Sequence, residues 1–269
     1  MLKKRIITAA ILGSLIILVI FKLPNSTIAI VFAGITLIGA WEWSTLIGLK
    51  NHVSKLAYIT LIGAFVLAVW LFMQPHENVF LLVTGLWWLS VVIMLTLYKS
   101  NWLRSVWLQK LLEFSGFVVL VPAWLALTKL HDQGPETLMF LLALVWAADI
   151  AAYFVGKRFG KNKLAPLLSP GKSREGVLGA LLASLIMAVI GLRIFTFDKQ
   201  ASMYFIGLCV LTALISVVGD LYESLLKRKA GAKDSGTILP GHGGVLDRID
   251  SLTAAAPVFL LGLYWILSC

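Results

Sequence analysis

Nine long apolar segments constrain the fold of this chain more than any other feature of its sequence. A helix needs about 20 largely apolar residues to cross the hydrocarbon core of a bilayer. The qualifying segments are residues 6–21, 28–47, 56–73, 79–98, 111–130, 137–155, 176–197, 203–220 and 251–268. They are continuously apolar rather than alternating, which favours helices over the strands of a membrane barrel. We therefore predict an all-α, polytopic membrane protein with nine transmembrane helices.

The composition excludes the main soluble classes. Of the 269 residues, 59% are hydrophobic and only 13% are charged, whereas about a quarter of the residues in an ordinary soluble domain are charged. The two cysteines, Cys209 and Cys269, show no metal-binding spacing and no evident disulfide pairing. These numbers also exclude a disordered chain and a secreted disulfide scaffold.

The positive charges predict an orientation for the nine helices. The chain carries 23 Lys and Arg against 13 Asp and Glu, a net charge of +10. With the N-terminus in the cytoplasm and the C-terminus outside, all but four of these cations lie on the cytoplasmic side, as the positive-inside rule requires. Eleven of them fall in two cytoplasmic segments, residues 156–175 and 221–250. This concentration exceeds the needs of orientation and predicts a binding site for strongly anionic substrates.

The second of these segments joins the predicted eighth and ninth helices. If the eighth helix continues through Lys227, then Asp220, Glu223, Ser224 and Lys227 share one face. The further candidates are Lys233, Asp234, Asp247, Arg248 and Asp250, with a glycine-rich turn that includes Gly243 and Gly244. Carboxylates beside a cationic, glycine-rich loop suit Mg²⁺, which is typically held by one or two carboxylates and by substrate phosphates.

The first segment, residues 156–175, follows the predicted sixth helix, which carries Asp149. Lys172 and Ser173 lie in a basic, glycine-containing turn before the seventh helix, and such a helix N-terminus is a ready anion site. The stretch GKRFGK at 156–161 is not a Walker loop, because it is one residue short and no strand is predicted before it. We therefore assign the catalytic region to residues 136–269 and the first five helices to residues 1–135.

Three other polar residues have weaker assignments. We interpret Glu42, between Trp41 and Trp43 near the end of the second helix, as an interfacial carboxylate rather than a site acid. Glu113 is interpreted as structural. His242 is able to act as an acid or base near neutral pH, but a hydrogen-bonding role in its glycine-rich loop is the favoured alternative.

The C-terminal polar segment resembles the bacterial phosphatidate cytidylyltransferases, also called CDP-diacylglycerol synthases. The shared pattern is S-x-L-K-R-x4-K-D-x-G-x2-L-P-x-H-G-G-x-x-D-R-x-D, and it is matched from Ser224 to Asp250. The stretches DIAAYFVGKRFGK and SPGKSREG are similar to two further polar stretches of that family. The first five helices resemble it only in length and in the GAWEW sequence.

The resemblance implies that phosphatidate reacts with CTP to give CDP-diacylglycerol and pyrophosphate, with Mg²⁺ and, in some members, a second, monovalent ion such as K⁺. It implies metal binding by Asp220 and Asp247. It also implies a nine-helix homodimer in the bacterial inner (cytoplasmic) membrane, with a cavity open to the cytoplasm and the inner leaflet. The resemblance therefore implies membrane lipids as partners and does not imply a nucleic acid.

These residues suggest direct in-line attack by a phosphatidate oxygen on the α-phosphorus of CTP. Because the lipid phosphate is already a nucleophile, no activated Ser or Cys is needed, and catalysis would consist of positioning and charge neutralisation. The residues expected to contact phosphates are Lys227, Arg228, Lys233 and Arg248, with Lys172 and Ser173 cradling the triphosphate or the lipid phosphate. Asp149 is expected to orient a cation or bind the nucleotide. Further substrate-binding candidates are Ser224, Asp234, His242, Gly243, Gly244 and Asp250.

Two other functions stay open at this point. A CTP-dependent polyprenol or dolichol kinase would need a similar set of residues. An organic-anion transporter would place its site near the bilayer midplane, between broken helices in two related halves, and no such halves are evident in this sequence. A CDP-alcohol phosphotransferase is disfavoured, because its D-G-x2-A-R…G-x3-D-x3-D pattern is absent.

Overall fold

The computed structural model describes residues 13–72, 76–238 and 243–268. The helices are α1 (Gly13–Lys22), α2 (Asn25–Leu46), α3 (His52–Phe72), α4 (Glu77–Thr96), α5 (Val106–Gln133), α6 (Pro135–Phe159), α7 (Arg174–Ile194), α8 (Lys199–Lys229) and α9 (Leu246–Ser268). A short 3-10 helix, Ser100–Arg104, precedes α5. Eight of these helices, α2 to α9, are long and apolar enough to cross a membrane. The chain is therefore a predominantly helical, polytopic membrane protein.

Two helices, α5 and α9, form the centre of the bundle. In the most apolar 18-residue stretch of each helix, 67% of α5 and 61% of α9 is buried inside the protein. The corresponding buried share of the other six candidate spans is 22–39%. The outer helices leave large apolar side chains exposed along their length, among them Leu61, Leu86 and Leu182. Such an exterior is costly in water and suits lipid.

One helix, α8, extends well past the apolar segment that the sequence predicts for it. It has 31 residues, which corresponds to about 46 Å at 1.5 Å per residue, whereas the hydrocarbon core is about 30 Å thick. The helix therefore continues through Asp220 and Lys227, which meets the condition under which the sequence analysis places Asp220, Glu223, Ser224 and Lys227 on one face. Similarly, α9 begins at Leu246 rather than near residue 251, so that Asp247 and Asp250 lie in its first turns.

A small β-hairpin between α6 and α7 adds two short strands to the predicted all-α fold. Strands β1 (Lys163–Ala165) and β2 (Ser169–Ser173) pair antiparallel, with Lys163 opposite Ser173. The buried side chain of Leu168 lies in its turn. The hairpin gives the predicted turn before α7 a regular backbone and carries Lys172.

Candidate active site

Asp247, in the first turn of α9, is held by the loop that precedes this helix. Its Oδ2 atom accepts bonds from the Ser235 N–H at 2.8 Å, the Ser235 hydroxyl at 2.9 Å and the Gly244 N–H at 2.9 Å. Its Oδ1 atom lies 2.7 Å from Lys227 Nζ. These donors fix the carboxylate at the N-terminus of a helix, where the helix dipole favours negative charge.

Lys227, near the end of α8, joins two carboxylates. Its Nζ atom lies 3.3 Å from Glu223 Oε1 and 2.7 Å from Asp247 Oδ1. The three side chains are only 12%, 4% and 8% exposed, respectively. Among the described residues, no donor forms a hydrogen bond with Glu223 Oε2. Two largely buried carboxyl groups therefore share one ammonium group.

Lys172, on strand β2, connects the hairpin to α8. Its Nζ atom lies 2.6 Å from Asp220 Oδ2, and the Ser224 hydroxyl is 3.4 Å from Asp220 Oδ1. The two polar segments predicted from the sequence therefore meet in space. The site has at least two cation–carboxylate pairs, Lys172 with Asp220 and Lys227 with Asp247.

Two further acids face this region from α6 and α9. The Ser251 hydroxyl is 3.3 Å from Asp149 Oδ2, and the Ser251 N–H donates to Asp250 Oδ1 at 2.8 Å. Asp149 interacts electrostatically with Lys172 and Asp220. The structure thus adds Asp149 to the cluster that contains Asp220 and Asp250.

Close helix packing sets the distance between these acids. At Gly219, a Cβ atom would lie 2.6 Å from the backbone oxygen of Asp250 and 3.0 Å from Ala254 Cβ. No side chain fits between α8 and α9 here. This contact places Asp220, the next residue of α8, beside the first turns of α9.

Glu42 is the main site residue that the sequence analysis missed. Rather than facing the lipid headgroups, it is buried inside the protein, with only 2% exposed. Its carboxylate accepts bonds from the Val245 N–H at 3.0 Å and the Leu246 N–H at 2.8 Å, and the Ser235 hydroxyl lies 3.1 Å away. The interfacial interpretation was therefore wrong. Its place inside a predicted span was the available signal, because a carboxylate at that depth needs protein partners.

In the loop before α9, the backbone of two glycines lies close to the carboxylates of Asp247 and Glu42. Gly243 has a φ of +85°, and a Cβ atom there would lie 2.6 Å from Asp247 Oδ2. A Cβ atom at Gly244 would collide with Ser235 Oγ and with Glu42. The predicted glycine-rich turn therefore packs against carboxylates at these two positions. His242 lies outside the described residues.

Two residues predicted to bind phosphate, Ser173 and Arg228, form hydrogen bonds within the protein. Ser173 is buried and caps α7, since its hydroxyl accepts the Gly176 N–H at 3.1 Å. Arg228 donates to the backbone oxygens of Leu168 at 3.0 Å and Ala232 at 3.3 Å. These contacts tie the hairpin to the end of α8.

Two predicted residues of the loop and one in the first turn of α9 lie at the surface. The exposed side chains are Lys233, Asp234 and Arg248. Their exposure keeps them accessible to a ligand that approaches from the polar end of the bundle.

An apolar cavity of about 640 Å³ adjoins this cluster. Helices α1, α2, α5, α6 and α9 line it, and Arg248 and Val245 lie at its border with the loop before α9. Its walls include Val31, Leu127 and Leu142. A strongly polar site and an apolar cavity are thus next to each other, an arrangement that suits an amphipathic ligand.

The carboxylates fit a divalent cation that also binds phosphate oxygens. Among the described residues, no group of three or more His, Cys, Asp and Glu side chains is placed to hold a metal by itself. Mg²⁺ needs only one or two carboxylates when substrate phosphates supply other ligands. Asp220 and Asp247 each already bind a cation, the ammonium groups of Lys172 and Lys227. Glu223 Oε2, which has no hydrogen-bond partner among the described residues, lies near Lys227 and Asp247.

Comparisons with known proteins match almost the whole chain. A family model described as "Cytidylyltransferase family" matches residues 3–266. The chain is 42% identical over 267 residues to the phosphatidate cytidylyltransferase of Pseudomonas aeruginosa, covering 96% of each chain. It is 37% identical over 290 residues to the Haemophilus influenzae protein of the same name, covering 99% of this chain and 100% of that one. The Bacillus subtilis protein of that name is 32% identical over 258 residues, covering 88% and 94%.

Proposed function

The chain belongs to the cytidylyltransferase family, and from this premise we propose that it transfers the cytidylyl group of CTP to phosphatidate. The products are CDP-diacylglycerol, a precursor for phospholipid synthesis, and pyrophosphate. The observation that carries the proposal is the near full-length similarity to phosphatidate cytidylyltransferases of several bacteria. The cluster of cations and carboxylates beside an apolar cavity suits this pair of substrates.

The main obstacle to the reaction is repulsion between two polyanions. A phosphatidate oxygen attacks the α-phosphorus of CTP in line with the departing pyrophosphate, and no covalent enzyme intermediate forms. Lys172 and Lys227, which now pair with carboxylates, neutralise the phosphate charges together with Lys233 and Arg248. Such preorganised charges act most strongly on the charge that develops in the transition state.

Asp220 and Asp247 would hold Mg²⁺ in this proposal. When bound, the ion neutralises phosphate oxygens and helps to orient the triphosphate. Lys172 and Lys227 would then pass from the carboxylates to the phosphates, because both bind anions as flexible point charges. Asp149 and Asp250 would line the same site beside Asp220.

The apolar cavity accounts for the lipid half of phosphatidate. An acyl chain in the cavity would leave the phosphate beside Arg248, at the border with the polar cluster. The acyl chain already lies in the apolar bilayer, so its entry into an apolar cavity gains little hydrophobic free energy. The cavity therefore positions the lipid, whereas the cluster supplies the chemistry.

The same proposal includes the arrangement in the membrane. Nine transmembrane helices with a cytoplasmic N-terminus place the site at the cytoplasmic face of the bacterial inner membrane, where CTP is available. The enzyme is proposed to act as a homodimer. The concentration of cations in residues 156–175 and 221–250 supports this orientation.

The test is product identification with the purified protein. Phosphatidate, a polyprenol, CTP and Mg²⁺ are supplied together, and the lipids are analysed by mass spectrometry. We expect CDP-diacylglycerol from the wild type and none from Asp247→Asn, whereas Glu113→Gln stays active. A phosphorylated polyprenol as the product, or wild-type activity in Asp247→Asn, would contradict the proposal.

A further inference from the structure

Glu42 reaches the active-site loop from a distant part of the chain. It lies on α2. Its partners are the Ser235 hydroxyl, the N–H of Val245, which directly precedes α9, and the N–H of Leu246, the first residue of α9. The two backbone bonds are 3.0 and 2.8 Å long. The carboxylate is fully enclosed by these contacts, since only 2% of the residue is exposed.

These bonds give α9 an N-terminal cap that its own sequence does not supply. The first N–H groups of a helix have no partner within the helix, and a side chain just before the helix usually accepts them. Here the residue before Leu246 is Val245, which has no acceptor side chain. The carboxylate of another helix takes that role, at the end where negative charge is favoured.

Hydrogen bonds of Ser235 link the Glu42 cap to Asp247. Ser235 Oγ lies between the two carboxylates, 3.1 Å from Glu42 Oε2 and 2.9 Å from Asp247 Oδ2, and it also accepts the Asp247 N–H at 3.3 Å. Its one hydroxyl proton is donated to one carboxylate at a time. A displacement of Glu42 is therefore transmitted to both the backbone and the side chain of Asp247.

We infer that Glu42 is a positioning residue that caps α9 from α2 and, through Ser235, holds the Asp247 carboxylate where it binds the metal and CTP. This inference rests on the proposed role of Asp247 in the reaction. It also gives the N-terminal helices a part in the site, because α2 belongs to the half of the chain that otherwise lacks site residues.

Glu42→Gln tests the inference with little change in volume. The amide has one acceptor oxygen in place of two, so one backbone N–H loses its partner, and the NH₂ group faces donors. Glu113→Gln is the matched control, because Glu113 is a partly buried carboxylate near one end of α5 whose Oε1 accepts a bond from Gln109. The first readout is hydrogen–deuterium exchange of the amides at 243–247, which does not depend on turnover.

We expect these amides to exchange about five- to tenfold faster in Glu42→Gln, which is the scale of one lost cap, and to be unchanged in Glu113→Gln. In the same preparations, Glu42→Gln should need more Mg²⁺ for half-maximal activity and have a lower kcat, with a smaller change in the KM for CTP. Unchanged exchange and unchanged Mg²⁺ response per folded molecule would overturn the inference. So would a uniform loss of stability without a local change at 243–247.

Ser235→Ala provides a second, milder variant if Glu42→Gln does not fold. It removes the hydroxyl between the carboxylates but keeps both backbone bonds to Glu42, so we expect the Mg²⁺ requirement to rise with little faster exchange of Leu246. An unchanged Mg²⁺ requirement would overturn the connection to Asp247. If the wild type makes no CDP-diacylglycerol, the proposed function fails, whereas the exchange data still decide whether Glu42 caps α9.

Discussion

At the scale of single residues, Lys227 combines a structural and a chemical task. It is the ammonium that compensates Glu223 and Asp247 in a nearly buried environment. Removal of one partner from a buried ion pair typically costs about 3–5 kcal/mol, because a charge is left uncompensated. The same ammonium is proposed to move to the phosphates of CTP, so stability and turnover are both expected to depend on it.

The structural and the catalytic role of Lys227 can be separated by substituting Glu223 as well. We expect Lys227→Met to lower the melting temperature and abolish turnover. In the double variant Lys227→Met/Glu223→Gln, one carboxylate charge is gone, so the melting temperature should recover in large part while turnover stays absent. Thermal unfolding in detergent and the CDP-diacylglycerol assay measure the two effects. Recovery of turnover in the double variant would show that Lys227 has only a structural role.

The site residues divide into those whose partners are predictable from the local sequence and one, Glu42, whose partners are not. Lys227 and Asp247 are only 20 positions apart and lie in one dense motif, so their residue types and spacing predict a shared site. Glu42 contacts residues 193 and 204 positions away. No local pattern encodes such a contact, because it depends on how α2 packs against the bundle.

At the scale of secondary-structure elements, the contact between α8 and α9 sets the site geometry. Gly219→Ala would place a methyl group 2.6 Å from the Asp250 backbone oxygen, so the helices must separate. Overpacking of this kind costs about 1–3 kcal/mol. The displacement also moves Asp220 relative to Asp247.

We therefore expect Gly219→Ala to reduce kcat at least about tenfold, in line with the sensitivity of catalysis to small misplacements. Gly207→Ala is the matched control on the same helix, because a Cβ atom added there would have no neighbour within 4 Å among the described residues. The control should keep full activity and gain up to about 1 kcal/mol of helix stability. Equal turnover in the two variants, measured at saturating substrates, would contradict this account of the helix contact.

The elements themselves were predictable to different degrees. The apolar segment predicted α8 only as far as residue 220, and the spacing of Asp220, Glu223, Ser224 and Lys227 showed which face they would share if the helix continued. The hairpin was missed because its strands have only 3 and 5 residues, too few for an alternating pattern. Its pairing is further supported by a contact from Arg228 to the Leu168 backbone oxygen, which is not visible in the local sequence.

At the scale of the whole molecule, the charges are divided between two ends of the bundle. The active-site cluster is at one end. At another position, Lys129 Nζ pairs with Glu77 Oε2 at 2.7 Å, and the Tyr264 hydroxyl donates to Glu77 Oε1 at 3.0 Å. Lys129 is one of the four cations that the predicted topology places outside, and this pairing offsets its charge. One of the four cations that the predicted topology places outside is thus paired with an acid within the protein.

The central claim is that the cytidylyl group, rather than the terminal phosphoryl group, moves from CTP to the lipid. The most direct measurement uses the purified enzyme, phosphatidate and Mg²⁺ with CTP labelled at either the α- or the γ-phosphorus. Attack on the α-phosphorus predicts that the α-label appears in the lipid fraction and that the γ-label is released as pyrophosphate. Appearance of the γ-label in the lipid, with the α-label left on CDP in solution, would identify a kinase and contradict the account.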